Sequence, residues 1–275
     1  MHKLLFGTAG IPLSCDGNTS DGVKHVRVLG LDAMELEFVH SVNISEKTAP
    51  LVKKAADDNS VVLTCHAPYY INLNAQDSAK MKASIQRLIT AARVAWSCSA
   101  WGVAFHPGFY MKKSKEETYK IIKENIRTVV ETLKQEGNDI WIRPEITGKR
   151  SQFGDFEEIV RLSQELEHVL PCIDYGHMHA REGKFNRTEE FRLVLEKIEK
   201  TLGKESLDNM HIQIAGIEYT EAGERRHINL EDSDLNFLDL IESWKDFNIK
   251  GVVISESPNI EGDALMLKRL YKNVE

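Results

Sequence analysis

Several apolar segments of this chain run into a residue that can bind a metal ion. The segment at 61–65 leads to His66, the one at 102–105 to His106, Pro144 is followed by Glu145, and Asp174 precedes His177 by three residues. Near the end of the chain Glu256 closes another such segment, while His211 lies within one and His227 in the stretch beyond it. Imidazole nitrogen and carboxylate oxygen are the donors that hold zinc or manganese. A single histidine at a strand end is ordinarily a hydrogen-bonded structural residue, and a single acid there is ordinarily a helix cap or half of a surface ion pair. The recurrence is what carries weight. Unpaired buried charges in such number are costly, and cations supply the missing partners. His66, His106, Glu145, Asp174, His177, His211, His227 and Glu256 together exceed the roughly four ligands of one zinc, and a bridging carboxylate serves two ions. Closely spaced ions suit phosphodiester cleavage, where one generates hydroxide and another stabilises the leaving oxygen. His2, His25, His40 and His168 lack a comparable context, and His179, two residues past His177, reads as structural.

These residues converge only if the segments before them are parallel strands of one sheet. Apolar, β-branched runs are expected as strands near Leu4–Gly7, Ala33–Phe38, Val61–Cys65, Gly102–Phe105, Asp139–Ile142, Val169–Ile173, Met210–Ile214 and Gly251–Ile254. Helical periodicity fills the gaps, as in Ala79–Ala95 and Glu116–Lys134. The alternation predicts an α/β fold, a single (β/α)8 TIM barrel over residues 1–275, with catalytic groups at the C-terminal ends of its strands. An open doubly wound sheet is the runner-up. It is disfavoured because the Phe6–Gly10 segment FGTAG lacks the G-x-G-x-x-G spacing of a dinucleotide cradle. The aromatic residues Trp96 and Trp244 are expected to pack helices on the barrel.

Length supports this reading: 275 residues, 42% hydrophobic and 28% charged, fit a barrel of about 250 residues. The four cysteines, Cys15, Cys65, Cys98 and Cys172, form no C-x-x-C pair, which argues against a zinc ribbon or a disulfide framework. The N-terminal stretch lacks a long apolar signal core, and no apolar run approaches the roughly 20 residues of a membrane helix, so a cytoplasmic monomer with no membrane partner is expected. A net charge of -7 argues against broad, non-specific attraction to nucleic acid. The basic pairs Lys112/Lys113, Lys149/Arg150 and Arg225/Arg226 leave room for a locally positive mouth.

The motifs HAPYYINL (His66–Leu73), FHPG (Phe105–Gly108), RPEITG (Arg143–Gly148), IDYGH (Ile173–His177) and ISESP (Ile254–Pro258) resemble, in order, the metal-ligand motifs of the endonuclease IV family of abasic-site phosphodiesterases. The resemblance implies two or three Zn2+ per chain, with Mn2+ as the other candidate, and double-stranded DNA with abasic sites as the partner. His66 and His106 would hold one ion and Glu145, the catalytic carboxylate, would bridge it to a second held by Asp174, His211 and Glu256. His177 and His227 would belong to a third. In the family a metal-activated hydroxide attacks the phosphorus 5′ to the base-less sugar. Tyr69 and Tyr70 match the family's DNA wedge or form an aromatic cover on the mouth, and Asn72 contacts phosphate or holds its turn.

Two departures stand out. The family's Asp-x-His at the third site becomes Arg225-Arg226-His227, so that either Glu224 takes over after a loop shift or Arg225 grips phosphate as a fixed charge. In MHIQIAG the strand-seven ligand is His211 on one alignment and Gln213 on another. No counterpart of the family's arginine-bearing loop after the second strand is evident. The alternatives are a sugar isomerase or epimerase of the xylose-isomerase-like barrels, with one metal on Glu145, Asp174, His211 and Glu256, and a catalytically inactive DNA-binding homologue.

Overall fold

The structure, a computed structural model, describes residues 1–274. Eight parallel strands, numbered in chain order around the barrel, run Leu4–Ala9, Ala33–Glu37, Val62–His66, Gly102–Phe105, Trp141–Pro144, Cys172–Asp174, Met210–Ile214 and Gly251–Ser255. Hydrogen bonding links them in the order five, four, three, two, one, eight, seven, six, all parallel. Strands five and six close the ring through isolated bridges, Ile142 to Val169 and Glu145 to Cys172. The expected (β/α)8 barrel is therefore the fold.

The seam between strands five and six has a local cause. Pro171 has no backbone N–H to give to the ladder, so the expected strand at 169–173 begins regular pairing only at Cys172. Strand five likewise starts at Trp141 rather than Asp139, because the Asn138 side chain accepts from the Ile140 backbone N–H at 3.1 Å and holds that approach as a turn.

The helices are set by their caps and stripes. Lys115–Gln135 begins with a capping box between Ser114 and Glu117 and buries Tyr119, Ile122, Ile126, Val129 and Leu133, a three-to-four spacing that lays one face on the barrel. Phe156–Glu165 begins in the same way with Asp155 and Glu158. Trp244 is fully buried as expected. Trp96 is 43% exposed and does not serve as barrel packing, which corrects that expectation.

Two small antiparallel pairings that the hydrophobic periodicity does not signal sit over the C-terminal ends of the strands. Only the second is a hairpin, pairing Gly216–Thr220 with Gly223–Ile228; the first is a short long-range antiparallel pair of Gly108–Phe109 with Gln152–Phe153. No helix among the described residues is long and apolar enough to cross a membrane.

Candidate metal centre

Strand three delivers His66 and strand four delivers His106, while Glu145 follows the last residue of strand five. The three meet. Glu145 Oε2 lies 2.9 Å from His66 Nε2, and Oε1 lies 2.8 Å from His106 Nε2 and 3.0 Å from His177 Nδ1. The His66 Nδ1–H donates to the Ala67 carbonyl at 2.7 Å, which fixes the ring and leaves Nε2 facing the carboxylate. Against the effect of burial, the imidazoles of His106, His177 and His66 hold the Glu145 carboxyl well below its usual range. The Glu145 carboxylate in turn keeps His66 protonated well above the ordinary histidine range, and Asp174 with Glu145 does the same for His177.

Asp174 ends strand six and caps the helix Tyr175–Glu182: its Oδ1 accepts from the His177 backbone N–H at 2.7 Å. The cap brings His177 round to face the barrel axis. Asp174 Oδ2, buried and without a hydrogen-bond partner, lies 3.3 Å from His177 Nδ1. A buried, orphaned carboxylate oxygen beside two further donors suits a bound cation. The donor groupings overlap: His66, His106 and Glu145 form one, Glu145, Asp174 and His177 a second, and His177, Glu224 and His227 a third, each with its ligand atoms within 4.8 Å of one another.

The third grouping resolves the loop that departs from the family. His227 Nε2 lies 3.3 Å from His177 Nε2, and Glu224 approaches both rings, at 3.6 and 3.7 Å. Along a regular strand, residues three apart face opposite sides. Here the hairpin register passes from Tyr219–Glu224 to Glu218–Arg226, so Arg225 is the extra residue of a β-bulge, and the bulge returns Glu224 and His227 to one side. Arg225 is turned outward. Its side chain is 62% exposed and pairs with Glu218 at 2.6 Å, as does Arg226. Of the two expected alternatives, the bulge gives the inward place to Glu224, and Arg225 does not enter the third grouping. Gly148 allows the approach: a Cβ there would lie 2.7 Å from Glu224 Cβ and 2.9 Å from His177 Cδ2.

His211 also falls elsewhere. Strand seven continues to Ile214, and Gln213 rather than His211 is level with Asp174 in the register. His211 is fully buried lower in the barrel, with Nε2 3.0 Å from Glu35 Oε2, and it joins none of the donor groupings among the described residues. Gln213 Nε2 donates to Glu35 Oε1 at 2.7 Å. Glu256 is brought to the mouth, yet its carboxylate gathers with Glu35 and Glu37 of strand two rather than with Asp174.

Around this centre, the Tyr69 ring centroid lies 5.1 Å from His66 and 5.6 Å from His106, and 47% of the residue is exposed. Tyr70 points further out, 60% exposed, with its hydroxyl 3.4 Å from His40 Nδ1. Asn72 holds its turn, Oδ1 accepting from the Asn74 backbone N–H at 3.0 Å. His179 is structural as expected, set between the Lys184 carbonyl at 2.9 Å and Asp234 at 3.2 Å. Of the basic pairs at the mouth, Lys113 is bound to Asn74 and Arg150 to the Arg181 carbonyl, so the positive rim is narrower than composition suggests.

Residues 23–272 match the family described as xylose isomerase-like TIM barrel. The chain belongs to this family. Within the xylose isomerase-like barrels it is 44% identical, over 272 residues and 98% of each chain, to an uncharacterised protein of Methanocaldococcus jannaschii. It is 24% identical over 202 residues to a probable endonuclease 4 of Mycoplasma pneumoniae, covering 72% of this chain and 68% of that one. Endonuclease IV of Thermus thermophilus superposes with a TM-score of 0.71 at 19% identity, over 96% of this chain and 97% of that one. A D-tagatose 3-epimerase-like protein superposes with 0.73 at 19% identity over 96% of each. The structural likenesses establish the barrel and extend equally to nucleases and sugar epimerases.

Proposed function

We propose that the chain is a metal-dependent phosphodiesterase that cleaves DNA 5′ to abasic sites, a divergent counterpart of endonuclease IV. The observation that carries this reading is the sharing of ligands: Glu145 belongs to two donor groupings and His177 to two, which suits two or three adjacent ions rather than one. The first ion would be held by His66, His106 and Glu145, the second by Glu145 and Asp174 with His177, and the third by His227 and Glu224 with His177. Zinc or manganese, when bound, supplies a hydrolytic nucleophile near neutral pH and screens the charge of the phosphoryl group. The chain's own residues do the rest. Glu145 would contribute to holding both of the first two ions, the Nδ1–H bond of His66 to Ala67 orients its Nε2, and Tyr69 shields that side of the centre from bulk water. Tyr70, exposed on the rim, would stack against an unpaired nucleotide. The reading takes residues 1–275 as one cytoplasmic, monomeric domain.

A sugar isomerase or epimerase is the second reading, favoured by the equally good superposition on the epimerase-like barrel. It leaves the His66–His106 pair without a ligand role, since one metal is satisfied by about four donors. The test is incubation of the metal-loaded protein with an end-labelled duplex carrying one abasic site. Incision on the 5′ side leaving a 3′-hydroxyl, abolished by chelation and restored by zinc or manganese, supports the proposal. No incision, with turnover of a ketose instead, replaces it with the epimerase reading.

A further inference from the structure

The carboxylates of Glu35, Glu37 and Glu256 bring three oxygens within 4.8 Å of one another beside the imidazole-rich centre. Acids cluster on many proteins without binding anything, but this group is not solvated in the ordinary way. Glu35 is fully buried and faces the cluster, with Oε2 lacking a hydrogen-bond partner; Glu37 Oε1 is buried and lacks one as well. His211 Nε2 lies 3.0 Å from Glu35 Oε2 but out of hydrogen-bonding alignment, and among the described residues no lysine or arginine pairs with any of the three acids.

The lower barrel orients this group. The Cys172 thiol donates to Gln213 Oε1 at 3.1 Å, which fixes the amide so that Nε2 donates to Glu35 Oε1 at 2.7 Å. Strand seven therefore supplies at this level an amide that aims a carboxylate, the arrangement by which an outer residue positions a ligand. Carboxylate oxygens favour hard cations, whereas imidazole favours zinc.

We propose that Glu35, Glu37 and Glu256 form a separate, all-oxygen site for a hard divalent cation, manganese or magnesium, next to the imidazole-rich centre. The site is independent of which phosphate or sugar the protein acts on, so its test reads metal binding rather than turnover. The full-length protein is saturated with zinc and then titrated with Mn2+, followed by electron paramagnetic resonance with electron spin echo envelope modulation. The expected result is one further Mn2+ per chain whose spectrum lacks nitrogen modulation from imidazole. Glu37→Gln, which keeps the shape of the side chain, weakens that Mn2+ by at least about tenfold while zinc content holds, and Glu35→Gln does the same. Thermal melts check that each variant folds. Failure of the zinc-saturated parent to take up Mn2+, nitrogen modulation on the ion it takes up, or parent-like Mn2+ affinity in folded Glu37→Gln overturns the proposal. Loss of the nuclease reading in the incision assay leaves these measurements untouched.

Discussion

At the scale of single residues, Glu145 is where the centre is most exposed to change. Three imidazoles converge on one carboxylate, so Glu145→Ala is expected to remove at least one metal per chain and to lower DNA incision by about 100-fold or more. Metal analysis beside a single-turnover assay checks it, and full metal content in that variant contradicts the bridging role. Arg225 and Glu224 give a sharper contrast. Arg225→Ala removes an exposed ion pair, and stability is expected to stay within about 0.5 kcal/mol of the parent with metal content unchanged. Glu224→Ala is expected to lose the third ion alone, and loss of that ion in the arginine variant instead would reverse the assignment. Residue types at or just past strand ends single out His66, His106, Glu145, Asp174, His177 and Glu256 in the sequence, and the family resemblance adds His227. Glu35 lies within strand two, and Glu37 ends it one residue before the expected end at Phe38, so a reading of the expected strand ends passes over both; their alternation along a buried segment, ELE at 35–37, is the signal that points to them. His211 departs from its expected place for a simple reason: strand seven runs on to Ile214, so its ligand level lies at Gln213.

At the scale of elements, the hairpin Gly216–Ile228 decides whether a third site exists. On a regular strand an Asp-x-His spacing puts both side chains on one side by simple alternation, whereas Glu224 and His227 need the bulge at Arg225. Sequence spacing does not show this, because a bulge is fixed by pairing with a partner strand and leaves no mark in either strand alone. Deleting Arg225 should therefore be tolerated: the shortened strand alternates regularly, and Glu-x-His still faces inward. The expected outcome is parent-like metal content in the deletion variant and loss of one ion when a second residue is inserted beside Arg225. Loss of the ion on deletion would show that the bulge has some other role. Gly148→Ala tests the same contact from the opposite loop. Its methyl would press on Glu224 and His177, at an expected cost of about 1–3 kcal/mol and a weakened third site, read by thermal melting and metal titration.

At the scale of the whole molecule, the alternation of strand and helix patterns along the chain makes the barrel legible in the sequence, and the seam at Pro171 is where its regularity breaks. The acidic balance has a consequence for stability. Burial, with Glu35 and Glu145 nearby, pushes Glu37 up to about 8, and burial with Glu145 and Asp174 raises Glu256 well above its usual range. A carboxyl whose folded pKa is raised stabilises the fold below its unfolded value of 4.5 and loses that contribution as pH rises through the folded value. His66 and His177, also raised, lose theirs in the same direction. The metal-free protein is expected to melt at a lower temperature near pH 8 than near about pH 5.5, whereas loaded metal, which binds the deprotonated ligands, offsets the fall. A metal-free melting curve that rises with pH over that window would refute the charge arrangement. The central claim, several ions sharing Glu145 and His177, is tested most directly by anomalous diffraction from crystals of the zinc-loaded protein at the zinc edge. The account expects at least two peaks flanking Glu145, one beside His66 and His106 and one beside Asp174 and His177; a single peak, with His66 and His106 bound to no ion, would contradict it.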